Sequence, residues 1–155
     1  MPEIAVMISI RPEWCMLISQ GKKTVEVRKT RPKLETPFKC YIYESKGNER
    51  VGNENFNVYL KGSGRQAVIG EFVCDAVFEI NKPYGMYNRG TCLLPVDLFR
   101  YAQANQLYGW HISDLVIYDE PKYIGDFKVE VNTKQWCFTK KLERPPQSWC
   151  YVMEG

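Results

Sequence analysis

Apolar residues follow two periods along this chain, and the points where one gives way to the other mark its elements. Ile4, Val6, Ile8 and Ile10 alternate, with Ala5 and Met7 between them, which predicts a strand buried on both faces. Pro12 suits a helix's first turn, Trp14, Leu17 and Ile18 fall at helical spacing, and Gly21 supplies a left-handed stop. A short helix is therefore expected over Pro12 to Gln20, with Trp14 in the core. Thr24 to Lys29 (TVEVRK) alternates strictly, putting Val25 and Val27 on one face and Thr24, Glu26 and Arg28 on the other. Lys39 to Ser45 (KCYIYES) also alternates, with Cys40 and Ile42 opposite Tyr41, Tyr43 and Ser45. Lys46 to Gln66, rich in Gly and Asn, reads as a long loop or an extended hairpin.

The strongest strand signal is Ala67 to Ile80 (AVIGEFVCDAVFEI), expected as the central strand, with Gly70 marking a bulge or bend. Asn81 to Gly90 reads as a loop, and Pro95 to Gln106 as a second helix with Leu98, Phe99 and Ala102 as its apolar stripe. Trp110 to Tyr118 predicts a further strand, broken at Asp114. Ser148 to Met153 predicts the last, led in by the extended Pro145 and Pro146. Six or so strands, two short helices and no regular β-α-β rhythm predict an α+β domain built on a partly closed β-barrel. Residues 1–155 are read as a single domain, without internal repeat or linker.

Composition narrows the class. Apolar residues are 45% of the chain and charged residues 25%, which supports a packed core and excludes a disordered chain. No stretch approaches the roughly 18 to 20 apolar residues of a membrane span. Met1 to Ile10 contains Glu3 and lacks a basic start, so it does not read as a signal peptide. Cys15, Cys40, Cys74, Cys92, Cys137 and Cys150 form no Cys-x-x-Cys pair and share the chain with one histidine, His111. Reduced, mostly buried thiols in the cytoplasm fit better than disulfides, and neither a zinc site nor any other metal or cofactor is expected.

Charge is uneven. Gly21 to Lys39 holds seven Lys or Arg against Glu26 and Glu35, a local balance of +5 in a chain of net charge +3. That run is either a solvated face or a surface for an anionic partner, most readily phosphate. Its best-specified part is Gly21 to Lys29. Here Arg28 can grip a phosphate or stack on a base, Glu26 can accept hydrogen bonds from a base amino group, and Lys22 or Lys23 can neutralise a nucleic-acid backbone. An outward strand face with ordinary Glu26–Arg28 pairing accounts for the same residues.

Ile8-Ser9-Ile10-Arg11-Pro12-Glu13-Trp14, then Ile18 to Gly21, then Lys23-Thr24-Val25-Glu26-Val27-Arg28-Lys29 resemble the opening of ASCH domains, relatives of the PUA fold. Val68 to Phe72 is similar to the family's later barrel strand, and Arg144 to Tyr151 to the ending of many short prokaryotic and phage members. The resemblance implies a small PUA-like barrel with a cleft beside the first helix that binds RNA or a modified nucleotide. It also implies an alternative, since some members are small amidohydrolases that deacylate acetylated cytidine with a Lys and a Thr of this motif and a later Glu. The motif lysine falls on Lys23 and its first threonine on Thr24. The second threonine is Glu26 here, and Asp97 is the only acid between Thr91 and Gln106.

As an enzyme, the chain would use Lys23 as a base toward Thr24 or water, with Glu26 as acid or base beside it. A regular strand puts Lys23 on the face opposite Thr24 and Glu26, so catalysis requires a twist at the strand's start. As a binder it would hold RNA, a nucleotide or a nucleoside through Ser9, Lys22, Lys23, Thr24, Glu26, Arg28 and Lys29, with Tyr43 as the preferred cleft aromatic. An interaction protein with an exposed apolar patch is the third class. His111 reads as structural, and Lys61 to Arg65 as loop because it lacks the ending of a phosphate loop.

Overall fold

In the computed structural model, which describes residues 3–47 and 64–154, β1 (Ile4–Ile10) runs into α1 (Pro12–Ser19), β2 (Val25–Arg28) and β3 (Phe38–Glu44). There follow β4 (Ala67–Ile80), α2 (Asn88–Thr91), α3 (Pro95–Ala102), the long β5 (Leu107–Lys122), β6 (Lys128–Asn132), β7 (Cys137–Lys141) and β8 (Trp149–Met153). Most of the Lys46 to Gln66 reading, and part of the Lys61 to Arg65 one, lies outside the described residues.

The main sheet is six-stranded and mixed, in the order β2-β5-β4-β3-β1-β8; β1 and β3 are parallel and the other neighbours antiparallel. The α+β class and the central position of β4 match the sequence reading. Two expectations are corrected. The described residues hold three α-helices rather than two, because Asn88–Thr91, inside and just past the expected loop, makes one helical turn. The sheet is open rather than a partly closed barrel: among the described residues no backbone ladder joins β2 to β8. β2 is four residues long, and Pro32, which has no N–H to offer a ladder, lies in the segment after it.

β1 is buried on both faces, as its composition requires. Val6, Ile8 and Ile10 join Cys15 and Ile18 of α1, Phe72 and Trp110 in one core, while Ala5 and Met7 join Tyr41, Tyr43, Ile124, Phe127 and Val152 in another. The hairpin β6–β7 lies at the second core, with Val129 packed against it. A third cluster under α3 gathers Val27, Ile80, Leu98, Ala102 and Leu107. Phe99 departs from its expected place and is 60% exposed, because Leu98 and Ala102, four apart, already aim the helix inward and Phe99 falls about 100° round the axis from Leu98. β5 is also longer than expected, since Asp114 bends it in a left-handed conformation (φ 48°) without ending it. All six cysteines are free thiols, with Cys15, Cys40 and Cys74 buried.

Gly70 is the bulge residue its position suggested. Pairing slips between Ile42 and Tyr43 on one side of it and between Val68 and Gly70 on the other. A Cβ there would collide with the carbonyl oxygen of Val116, a backbone atom that cannot step aside. Gly70→Ala should therefore lower the unfolding free energy by about 1–3 kcal/mol. In urea titration the midpoint should fall with the slope unchanged; an unaltered midpoint would show that the two strands are not held this close.

Candidate functional site

The end of α1 decides where the motif's side chains go. Gly21 adopts φ 76°, its N–H donates to Ile18 O at 3.0 Å, and Lys22 N–H donates to Leu17 O at 3.0 Å, a Schellman closure. Lys23 N–H also donates to Leu17 O, at 3.1 Å, so the chain folds back on the helix before the strand begins. Thr24 is then pinned at both backbone groups, its N–H on Gly90 O at 2.9 Å and its carbonyl accepting from Ile112 N at 2.8 Å. Lys23 thus precedes the regular strand. It turns into the same hollow as Glu26, two side chains that strict alternation would set on opposite faces.

That hollow is a cleft of about 490 Å3 lined by Ser9, Trp14, Lys23, Glu26, Arg28 and Tyr43, together with Tyr101 of α3 and the strap Pro145–Ser148. Five of the residues singled out from the sequence meet there. Lys22, Thr24 and Lys29 do not line it: Lys22 is exposed, Thr24 Oγ1 packs toward Gly90, and Lys29 Nζ sits 4.9 Å from the centre of the Tyr101 ring. Trp14, expected in the core, is half-buried and lines the cleft, with Lys23 Nζ 5.1 Å from its ring centre. Tyr101 and the strap had no sequence signal beyond the helix and the two prolines, since only the fold brings them to Lys23.

Lys23 is 2% exposed, and its Nζ donates to Thr91 O at 2.6 Å. Burial holds its pKa below the ordinary lysine value, against the opposing pull of the Glu26 carboxylate. Glu26 is 6% exposed. Its Oε1 accepts from Val27 N–H at 3.1 Å and lies 3.9 Å from Arg28 Nε, whereas its Oε2 is buried with no donor at all. Paired across the ladder from Glu26, the fully buried Trp110 keeps its Nε1 N–H without an acceptor. A desolvated carboxylate oxygen without a donor is an exception in folded proteins, and it marks where a ligand's N–H would be welcome.

Arg28 lines the cleft, but its guanidinium is largely occupied. Nη2 donates to Ser9 O at 2.7 Å, and Nη1 to Ser148 O at 3.3 Å and Ser148 Oγ at 3.1 Å. Ser9 is equally engaged: its Oγ donates to Pro146 O at 2.6 Å and its N–H to Ser148 O at 2.9 Å. Both residues build the cleft wall. Tyr43 is 5% exposed, with burial raising its phenol pKa. Asp97, the acid nearest in sequence to the family's later glutamate, lines the cleft while its Oδ2 accepts from Leu94 N–H at 2.9 Å and caps α3.

The basic run does not act as one field. Lys39 is paired with Glu71 at 3.1 Å and Glu154 at 2.9 Å, Lys23 is buried, and the exposed cations near the motif are Lys22, Arg31 and Lys33. His111 has a partner the sequence did not disclose, Asp75 Oδ1 at 2.7 Å across β4 and β5, and this contact lowers the aspartate's pKa. The pair is outside the cleft. Among the described residues no three His, Cys, Asp or Glu side chains group to hold a metal, and no helix is long and apolar enough to cross a membrane.

The chain is an α+β protein with a mixed sheet and a cleft between its first helix and a C-terminal strap. The ASCH domain model matches residues 8–144, and the chain belongs to the ASCH domain family. Among solved structures, the ASCH protein of Zymomonas mobilis is similar at 19% identity and TM-score 0.58, over 95% of this chain and 86% of that one. A serine-to-alanine variant of the same protein reaches TM-score 0.64 at 19% identity, over 95% and 87%. A tyrosine-to-phenylalanine variant gives 0.57 at 20%, over 95% and 88%. No curated protein matches the chain.

Two outcomes test this geometry. Arg28→Ala should lower the unfolding free energy by about 3 kcal/mol, since charge-assisted hydrogen bonds to Ser9 and Ser148 are lost, whereas Lys22→Ala, at an exposed side chain, should change it by less than about 0.5 kcal/mol. Equal effects in thermal melts would show that the guanidinium holds nothing together. Folding also lowers the proton affinity of Lys23, so its contribution to stability improves as pH rises through its folded pKa toward 10.5. The difference in unfolding free energy between wild type and Lys23→Met should accordingly move in favour of wild type with rising pH; a flat difference would put the amine in water.

Proposed function

We propose that the protein binds RNA, or a nucleotide unit of it, with one base seated in the cleft between Trp14 and Tyr101. The observation that carries this reading is Glu26 Oε2, a buried acceptor lacking a donor in a cleft that also holds the Lys23 amine. A base inserted edge-first brings N–H groups for the carboxylate and an acceptor for the amine, and its faces meet aromatic rings, each such stack contributing about 1–3 kcal/mol. Membership of a family generally thought to bind RNA supports the same reading. Arg11 at the rim and the exposed Lys22, Arg31 and Lys33 are then the phosphate contacts, in place of the occupied Arg28.

The amidohydrolase reading has one observation in its favour, the burial that lowers the pKa of Lys23 and so makes its amine easier to deprotonate than an ordinary lysine's. Thr24 lies outside the cleft and Asp97 is engaged in capping, so such an enzyme would have to activate water directly.

Fluorescence titration of the full chain with short single-stranded oligoribonucleotides should give saturable binding that weakens linearly in log affinity against log salt. Glu26→Gln should weaken it at least tenfold in a protein that still melts cooperatively, each 1.4 kcal/mol of lost contact being a factor of ten. Absence of binding would refute the proposal. Mass-detected deacylation of an acylated nucleoside, abolished by Lys23→Ala, would replace it with the enzymatic reading.

A further inference from the structure

The cleft offers a particular order of hydrogen-bonding partners, and this can be compared with the edges of the four bases. Glu26, as a carboxylate, only accepts. Its Oε2 has no donor, and its Oε1, holding one hydrogen bond from Val27 N–H with Arg28 Nε at 3.9 Å, has a second lone pair to offer. Glu26 lines the cleft, and the terminal torsion of a glutamate is broad and nearly two-fold, which lets its two oxygens adjust to a ligand's donors. Lys23 only donates while it is charged and keeps N–H groups if it is not; one of them is held by Thr91 O. A matching base therefore needs two adjacent donors for the carboxylate and an acceptor beside them for the amine.

Guanine meets this with N1–H, N2–H and O6. Adenine and cytosine each have one amino group, and the ring nitrogen next to it is a lone pair that would face the carboxylate. Uracil has one N–H flanked by two carbonyl oxygens, both repelled by Glu26. The walls favour the same base, because Trp14 and Tyr101 stack more area with a purine than with a pyrimidine. We infer that the cleft selects guanine, held by its N1–H and N2–H on the Glu26 carboxylate and by O6 on the Lys23 amine. This rests on the reading that the cleft takes a nucleobase.

The test uses pentaribonucleotides UUXUU, with X as guanosine, inosine, adenosine, cytidine or uridine, titrated into the full chain. The guanosine oligomer should bind about tenfold or more tightly than each of the others, the range expected for a bidentate base contact. Inosine, which differs from guanosine only by lacking the N2 amino group, should lose most of that advantage. Glu26→Gln, which offers the carboxylate's shape with one donor in place of an acceptor, should bring guanosine and inosine oligomers to equal affinity. Circular dichroism melting confirms that the variant is folded, and the wild-type series stands whether or not it is. Equal binding of guanosine and inosine, or a preference for any other base, overturns this inference while leaving nucleotide binding intact. Failure of all five oligomers to bind overturns both.

Discussion

A six-stranded sheet that curls without closing has two bare edges, and in this protein one guanidinium bridges them. Arg28 sits at the end of β2, one edge strand, and donates to Ser9 on β1 and to Ser148 just before β8, the other edge. Trp149 Nε1 to Thr30 Oγ1 at 2.9 Å, and Lys33 N–H to Tyr151 Oη at 2.8 Å, continue the seam along the same line. A backbone ladder would have closed the barrel and filled the space. Side chains hold the edges near one another yet apart, and the remaining gap is the cleft. A lysine would not replace Arg28 equally here, because its donors radiate from one nitrogen, whereas the guanidinium sets Nη2 on Ser9 and Nη1 on Ser148 at separate points.

The same arrangement explains why the motif's charges are unlike those of a solvated strand face. Once the seam is drawn together, Lys23 and Glu26 are taken out of water, and each must find partners inside. Lys23 finds Thr91 O and the Trp14 ring, while Glu26 finds a backbone N–H and the more distant Arg28 Nε for one of its two oxygens and no donor for the other. Glu26 thus lacks a full complement of partners, whereas Ser9 and Arg28 have theirs within the wall. By residue type alone the three are equally good candidates for meeting a ligand.

Where local pattern and tertiary position agree, the chain was readable. The Ala67–Ile80 strand, the doubly buried β1 and the Gly21 stop each follow from residues within one element. Where position comes from distant segments, it was not. The twist that brings Lys23 beside Glu26 depends on Leu17 O and Gly90 O, and nothing in TVEVRK encodes it. Tyr101 and Phe99 are both aromatic and two apart on a helix, and only the direction set by Leu98 and Ala102 tells which is exposed away from the core and which reaches the cleft. The hairpin β6–β7 escaped notice because its strands are short and interleaved with lysines, without a Gly-based turn: β7 is wholly exposed and β6 buries no side chain completely.

The strap has a further consequence for the way the molecule is made. Ser9 and Pro146 meet across 137 positions of sequence, and Arg28 and Ser148 across 120. A ribosome releases the motif long before it releases the wall that completes the cleft. During that interval the buried amine and carboxylate stand open to solvent, and loop-closure entropy delays their enclosure until the final strand docks. The nascent chain therefore acquires its pocket only once β8 has emerged, and any ligand recognised by that pocket is invisible to it until then.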